Sequence, residues 1–172
     1  TVYTVWVAKG DWIHATHNRM NMIIQDDDFL LEEHKQFINN TLLSDNFPFF
    51  YNEWKNLSYM GHNVVLRNGL RNSDYYEEFM SMLYAFTTKH DIQVNRILRC
   101  SLNMTFPLFE GTSPIHKDHE EEHKQLILYL NDVDGNTVLC DEDKMPVQHI
   151  TPVQYRGVLF DNRYHYANLP RN

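Results

Sequence analysis

The sequence is poor in the residues that staple, break or anchor a chain. Two cysteines, Cys100 and Cys140, stand in 172 residues, too few for a disulfide-built secreted scaffold. They are expected as reduced thiols of a cytoplasmic protein. Six glycines and six prolines are scattered along the chain, which excludes a collagen-like or low-complexity protein and leaves no linker. One domain over residues 1–172 is therefore expected. No apolar run approaches the roughly 20 residues that cross a bilayer, and no basic-then-apolar leader opens the chain, so neither a membrane span nor a signal peptide is expected. Basic residues are outnumbered, 15 Lys and Arg against 23 Asp and Glu, for a formal charge of −8. That balance argues against a nucleic-acid partner held through its phosphates. It leaves room for a small-molecule or peptide substrate, including a small anion held by one or two arginines. The first residue is Thr rather than Met, which reads as a trimmed start or a fragment of a longer reading frame.

What the chain does contain is apolar and aromatic matter, 42% and 13% of its residues, enough for a substantial core. Thr1 to Ala8 are β-branched and aromatic, as in a strand. Asp28 is placed to cap a helix in which Leu31, His34, Phe37, Ile38 and Leu42 recur at helical spacing. The aromatic run Phe47 to Tyr51, containing Pro48, reads as extended. Asp74 and Glu77 form a D-x-x-E helix start, with Tyr76, Phe79, Met80, Leu83 and Phe86 on one face and His90 and Asp91 at the close. From Ile92 onward short strands follow one another: Val94 to Met104, Leu126 to Leu130, Thr137 to Cys140, Val147 to Ile150 and Val158 to Phe160. Helices first and strands afterwards imply an α+β fold, with helical support and first strands in residues 1–91 packed against an antiparallel sheet or barrel in 92–172.

Ten histidines are many for this length. His14, His17, His34, His62 and His90 stand alone and read as surface or satisfied core residues. The dense stretch is His116-Lys-Asp118-His119-Glu120-Glu-Glu-His123, which as a bare charge run would be a solvated loop. Two metal patterns compete inside it. His119, Glu120 and His123 match H-E-x-x-H, the helical pattern of a zinc hydrolase, but the stretch is charged all round, and Pro114 and the apolar Leu126–Leu130 leave no long helix. His116 and Asp118 match H-x-D. In an extended strand those two side chains share a side, and a histidine from a distant strand would complete the two-histidine, one-carboxylate set of non-haem iron(II). Ten His and 13 Asp in 172 residues produce about one such match by chance, so the pattern alone is weak. Its value comes from the segment Gly157-Val-Leu-Phe-Asp-Asn-Arg-Tyr-His165, an apolar strand, a turn and a histidine opening another strand.

Taken in order, several segments resemble the iron(II)- and 2-oxoglutarate-dependent oxygenases, especially their small prolyl-4-hydroxylase-like members from bacteria and phages. They are Arg96 to Asn103, Pro114 to Asp118, Leu126 to Leu130 running into Asn131 to Thr137, and Gly157 to His165. Asp27 to Glu33 and Phe47 to Tyr51 resemble the family's N-terminal helical support. The resemblance implies a double-stranded β-helix, a jelly-roll or cupin-like barrel, with the metal near one mouth. It implies His116, Asp118 and His165 as ligands of Fe(II), with 2-oxoglutarate as co-substrate, O2 as oxidant, and hydroxylation of an unidentified substrate as succinate is formed.

In that family a basic residue about ten positions beyond the distal histidine anchors the co-substrate. Here Arg171 is the basic residue after His165, so either Arg171 serves or the anchor lies on a further strand outside this sequence, and the short spacing favours the second. Asn103 and Tyr129 are candidate co-substrate contacts, alternatively a turn residue and a packed ring. Arg99 either reaches the substrate or covers a sheet edge. Thr137 reads as turn chemistry, and His119 and His123 as facing solvent. Two other functions stay open: a cupin-like barrel that binds without catalysis, and the zinc hydrolase built on His119, Glu120 and His123.

Overall fold

The computed structural model describes residues 1–12, 23–55, 57–107 and 111–168. His14, His17 and Arg171 lie outside the described residues. The fold is α+β and rich in antiparallel sheet. Among the described residues ten strands form two sheets: β1 (Val2–Trp12), β2 (Ile24–Asp26), β3 (Phe50–Trp54), β4 (Leu57–Val65), β5 (Ile92–Met104), β6 (Lys124–Tyr129), β7 (Thr137–Cys140), β8 (Pro146–Ile150), β9 (Gly157–Asp161) and β10 (His165–Ala167). The large sheet runs β2-β9-β6-β1-β5-β4-β3 and the small one β10-β7-β8. Two helices are present among the described residues, α1 (Glu32–Phe37) and α2 (Tyr76–Lys89), α1 continuing into a π-helical turn at Ile38–Leu42.

The five strands expected after Ile92 are all present. The N-terminal half holds both helices and strands at the two stretches expected to be extended, and with β2 and β4 it contributes four of the seven strands of the large sheet. The first of them, β1, lies at the centre, paired with β5 on one side and β6 on the other. The strand Leu57–Val65 has no clean two-residue alternation of polarity, which is why its pattern did not mark it.

Both expected helix starts are displaced. Leu31 precedes α1, and its amide donates to His34 Nδ1 at 3.1 Å. Before α2 the Tyr75 amide donates to Ser73 Oγ at 3.1 Å, while Glu77 pairs with Arg71. Asp28 and Asp74 cap nothing, since each helix begins later than its acidic signal.

Side-chain alternation divides the core in two. Trp6, Leu102, Leu128 and Leu159 point to the helical side, where α2 buries Phe79, Met80, Met82, Leu83 and Phe86. Trp6 Nε1 donates to the Phe79 carbonyl at 3.2 Å, tying α2 to the central strand. Gly157 lies so close to this core that a Cβ there would meet the Phe29 ring at 2.6 Å and the Phe86 ring of α2 at 3.2 Å. Val5, Val7, Ile127, Val158 and Phe160 point the other way and meet Leu139 and Ile150 of the small sheet. Slipping any central strand by one residue would exchange these two sets, so burial on both faces locks the register.

Two acidic residues pin the short edge strand β2. Asp26 takes Lys89 Nζ at 2.8 Å and His90 Nε2 at 2.6 Å, and Asp27 takes Arg156 in a two-bond fork at 2.8 and 3.0 Å. Burial works against the charge of Asp26, but Lys89, the Asp28 amide and His90 together outweigh it; Arg156 does the same for Asp27. Both carboxyls thus titrate below their ordinary 3.8. Their contribution to stability is full above that value and is lost as pH falls through the depressed ones. Asp26→Asn with Asp27→Asn is expected to flatten the fall of the urea midpoint on acidification below pH ~4; an unchanged acid limb would show that the loss arises elsewhere.

Candidate metal centre

The register of the large sheet builds the floor of the site. Val7 is paired with Arg99 on β5 and with Gln125 on β6, and Gln125 with Phe160 on β9. Residues at paired positions share a face, so Phe160, Gln125, Val7 and Arg99 form one row across four strands. Farther along the same face, Tyr129, Tyr3 and Asn103 form a parallel row.

Above this floor, the segment leading to Asp118 meets β10. His116 and His165 exchange both backbone hydrogen bonds at 3.0 Å, which sets their rings side by side with centroids 4.3 Å apart. Asp118 lies between them. Its Oδ1 is 3.1 Å from His116 Nε2 and its Oδ2 is 3.3 Å from His165 Nε2. One ligand atom from each residue lies within 4.8 Å of the others. Cis donors on a metal with bonds of about 2.1 Å stand about 3 Å apart, so the group can hold a metal ion.

The ring nitrogens facing away from this point fix the protonation pattern. His116 Nδ1 lies 2.7 Å from the Pro114 carbonyl, and His165 Nδ1 3.2 Å from the Arg163 carbonyl. A carbonyl can only accept, so in the neutral rings the proton sits on Nδ1 and each Nε2 presents a lone pair to the centre. Trp54 packs edge-on to His116 at 4.8 Å between centroids, and Phe160 edge-on to His165 at 5.4 Å. Asp118 and His165 are buried. Burial opposes the charge on Asp118, but the two histidines outweigh it and hold the carboxyl well below its usual range. The reciprocal holds for His165: burial works against its cation, and Asp118 raises it above 6.5. A metal entering here competes with that proton, and its binding weakens as pH falls.

Gln125 carries no signal in the sequence, yet it orients the carboxylate. Its Nε2 donates to Asp118 Oδ2 at 2.6 Å, and its Oε1 is 3.3 Å from His123 Nε2. Gln125→Leu is expected to fold and to lose roughly 10–100-fold in affinity for a divalent metal, read by calorimetric titration; an unaltered affinity would make the glutamine a packing residue only.

A cavity of ≈ 260 Å3 opens on the triad. Tyr129, Asn103 and Arg99 all line it, as do Arg67 and Tyr3. Tyr129 donates its hydroxyl to Thr137 Oγ1 at 2.5 Å, which makes Thr137, the first residue of β7, a partner of the cavity wall and not a turn residue. Asn103 Nδ2 donates to Ser101 Oγ at 3.3 Å. Burial and the charge of Asp118 push Tyr3 up to about 12, so it stays a neutral phenol. Arg99 sits on an interior strand, so it covers no sheet edge.

The zinc-hydrolase pattern is not assembled. Residues 119–123 form no helix, and the His119 Nδ1 accepts the Glu121 amide at 3.1 Å. His123, expected at the surface, is buried, with Nδ1 2.8 Å from the Glu121 carbonyl. The bend after Asp118 turns it inward, where the extended strand assumed for this stretch would have turned it out. His34 and His62 are buried and hydrogen-bonded, and His90 pairs with Asp26. Cys100 and Cys140 are free and buried, and burial raises both thiols. No helix among the described residues is long and apolar enough to cross a membrane.

No protein-family model and no curated protein matches the sequence. The functional reading therefore rests on the site itself.

Proposed function

We propose that the protein is an iron(II)- and 2-oxoglutarate-dependent dioxygenase that hydroxylates a small-molecule or peptide substrate. The observation that carries this reading is the convergence of His116, Asp118 and His165, brought from two segments onto one point beside a cavity, with both outward ring nitrogens tied to carbonyls. Two imidazoles and one carboxylate suit non-haem iron(II) and leave adjacent positions open on the cavity side. The facing sheets, with the triad where the small sheet meets the segment before β6, support a double-stranded β-helix.

Bound iron(II) with 2-oxoglutarate and O2 supplies the oxidising chemistry: one oxygen atom enters a C–H bond of the substrate, the other enters succinate, and CO2 leaves. The chain's own residues do the rest. His116 and His165 present neutral nitrogens, Asp118 supplies the single negative charge, and Gln125 holds that carboxylate in place. Trp54 braces the His116 ring and Phe160 the His165 ring. The phenols of Tyr3 and Tyr129 line the cavity as neutral groups, which neither compete for the metal nor add charge. We place the protein in the cytoplasm on its two unpaired thiols.

Adding Fe(II) and 2-oxoglutarate without oxygen is expected to give the weak visible charge-transfer band of the chelate, absent from His165→Ala. Admitting oxygen in the presence of a panel of peptides and small acids should then release succinate. Metal binding with neither band nor succinate would reduce the protein to a metal-binding barrel.

A further inference from the structure

Two guanidinium groups face the cavity beside the triad, and among the described residues neither forms an ion pair. Arg99 stands half-buried on β5, and Arg67 reaches in from the turn after β4. That turn closes through the Gly69 amide donating to the Leu66 carbonyl at 2.7 Å, with Gly69 at φ +82°, a conformation that favours glycine. Both arginines donate Nη1 to one acceptor, the Asp118 backbone carbonyl, at 3.1 Å from Arg67 and 3.5 Å from Arg99. Arg99 Nη2 also donates to Ser101 Oγ at 3.1 Å. Among the described residues, neither has a carboxylate oxygen within 4.0 Å.

The contrast with the rest of the protein is sharp. The other four described arginines, Arg71, Arg96, Arg156 and Arg163, each pair with a carboxylate. In a chain of formal charge −8, acids are abundant, so two adjacent unanswered cations are not a matter of supply. A pair of like charges at the wall of a cavity is an anion site waiting for its anion. Their shared carbonyl belongs to a residue of the triad, so a ligand held there lies within a short molecule's length of the metal position.

We propose that Arg67 and Arg99 form a carboxylate fork that takes the far acid group of the 2-oxo acid whose other end reaches His116, Asp118 and His165. The fork does the work that the resemblance would give to a basic residue beyond His165, but from the turn after β4 and from β5. This assignment rests on the oxygenase reading for its ligand, though not for its anion chemistry.

The test compares 2-oxoglutarate with pyruvate, which shares the chelating end and lacks the distal acid, on the full chain loaded with Co(II) under argon. The unaltered protein is expected to prefer 2-oxoglutarate by roughly 10–100-fold, the worth of a charge-assisted pair of hydrogen bonds. Arg99→Gln and Arg67→Gln should lose most of that preference while still binding pyruvate, and Arg99→Lys should restore part of it. Arg171→Gln should keep it. A preference that survives the double Arg67→Gln, Arg99→Gln change, or that vanishes with Arg171→Gln, overturns the proposal. Glutarate titrated into the metal-free chain separates the two readings. Arg99-dependent binding without any metal binding would sustain the carboxylate site and sink the oxygenase; no glutarate binding and no preference between the two oxo acids would sink the fork.

Discussion

Asp118→Ala is expected to lose stoichiometric binding of divalent metal while the chain remains folded. Asp118 is the shared member of the centre, with one oxygen toward each histidine and Gln125 on the second. Its removal takes away the only anionic ligand and leaves two neutral nitrogens that cannot hold a divalent ion against water. It also strands the Gln125 amide in a buried place, at a cost of about 1–3 kcal/mol. His165, no longer facing a carboxylate, should titrate lower than in the parent protein, because the Asp118 charge that raised it is gone while burial still works against its cation. Asp118→Asn keeps the shape and removes only the charge; it should spare most of the stability and still fail to bind metal. Elemental analysis and Co(II) titration read the first effect, and NMR titration of the imidazoles the second. One equivalent of metal bound with parental affinity by Asp118→Ala would remove the triad from the account.

Phe160→Ala carries the largest expected effect on stability. The ring is fully buried between the sheets, in the cluster with Val7, Ile127 and Leu139, and its edge meets His165. Truncating a buried phenylalanine costs about 3–5 kcal/mol through lost burial and the cavity left behind. Urea denaturation should show that loss with little change in m. Metal affinity should fall as well, since the imidazole loses the wall that fixes its rotamer. Phe160→Leu should recover much of the stability and less of the affinity, because it refills volume but not the flat edge contact. If stability falls while metal affinity is untouched, Phe160 supports the core and not the centre.

The candidate site was unevenly legible in the sequence. His116 and Asp118 are two residues apart, and local geometry was enough to pair them. His165 was reached through the apolar strand and turn before it, together with family resemblance, and the structure places it against the other two. Gln125 and Arg67 were invisible, and Arg99 was ambiguous, for one reason: each matters through a cross-strand neighbour. Gln125 reads as an interruption in an apolar strand until Val7 is seen to align it with Arg99 and Phe160. His123 was assigned to the wrong side because an extended strand was assumed where the chain bends after Asp118.

For the fold, the same division holds. Alternating and periodic apolar residues identified the strands after Ile92 and the buried face of α2, because these patterns reflect burial on one side of a local element. The low cysteine count likewise accorded with the two free thiols. Which strand lies beside which is a different kind of fact. Pairing energy is nearly independent of sequence separation, so nothing local in Val2–Trp12 says that it will lie between β5 and β6, nor that Val7 will carry Arg99 on one side and Gln125 on the other. That placement followed from packing two apolar faces at once, and it is the placement that turned a histidine, an aspartate and a distant second histidine into one centre.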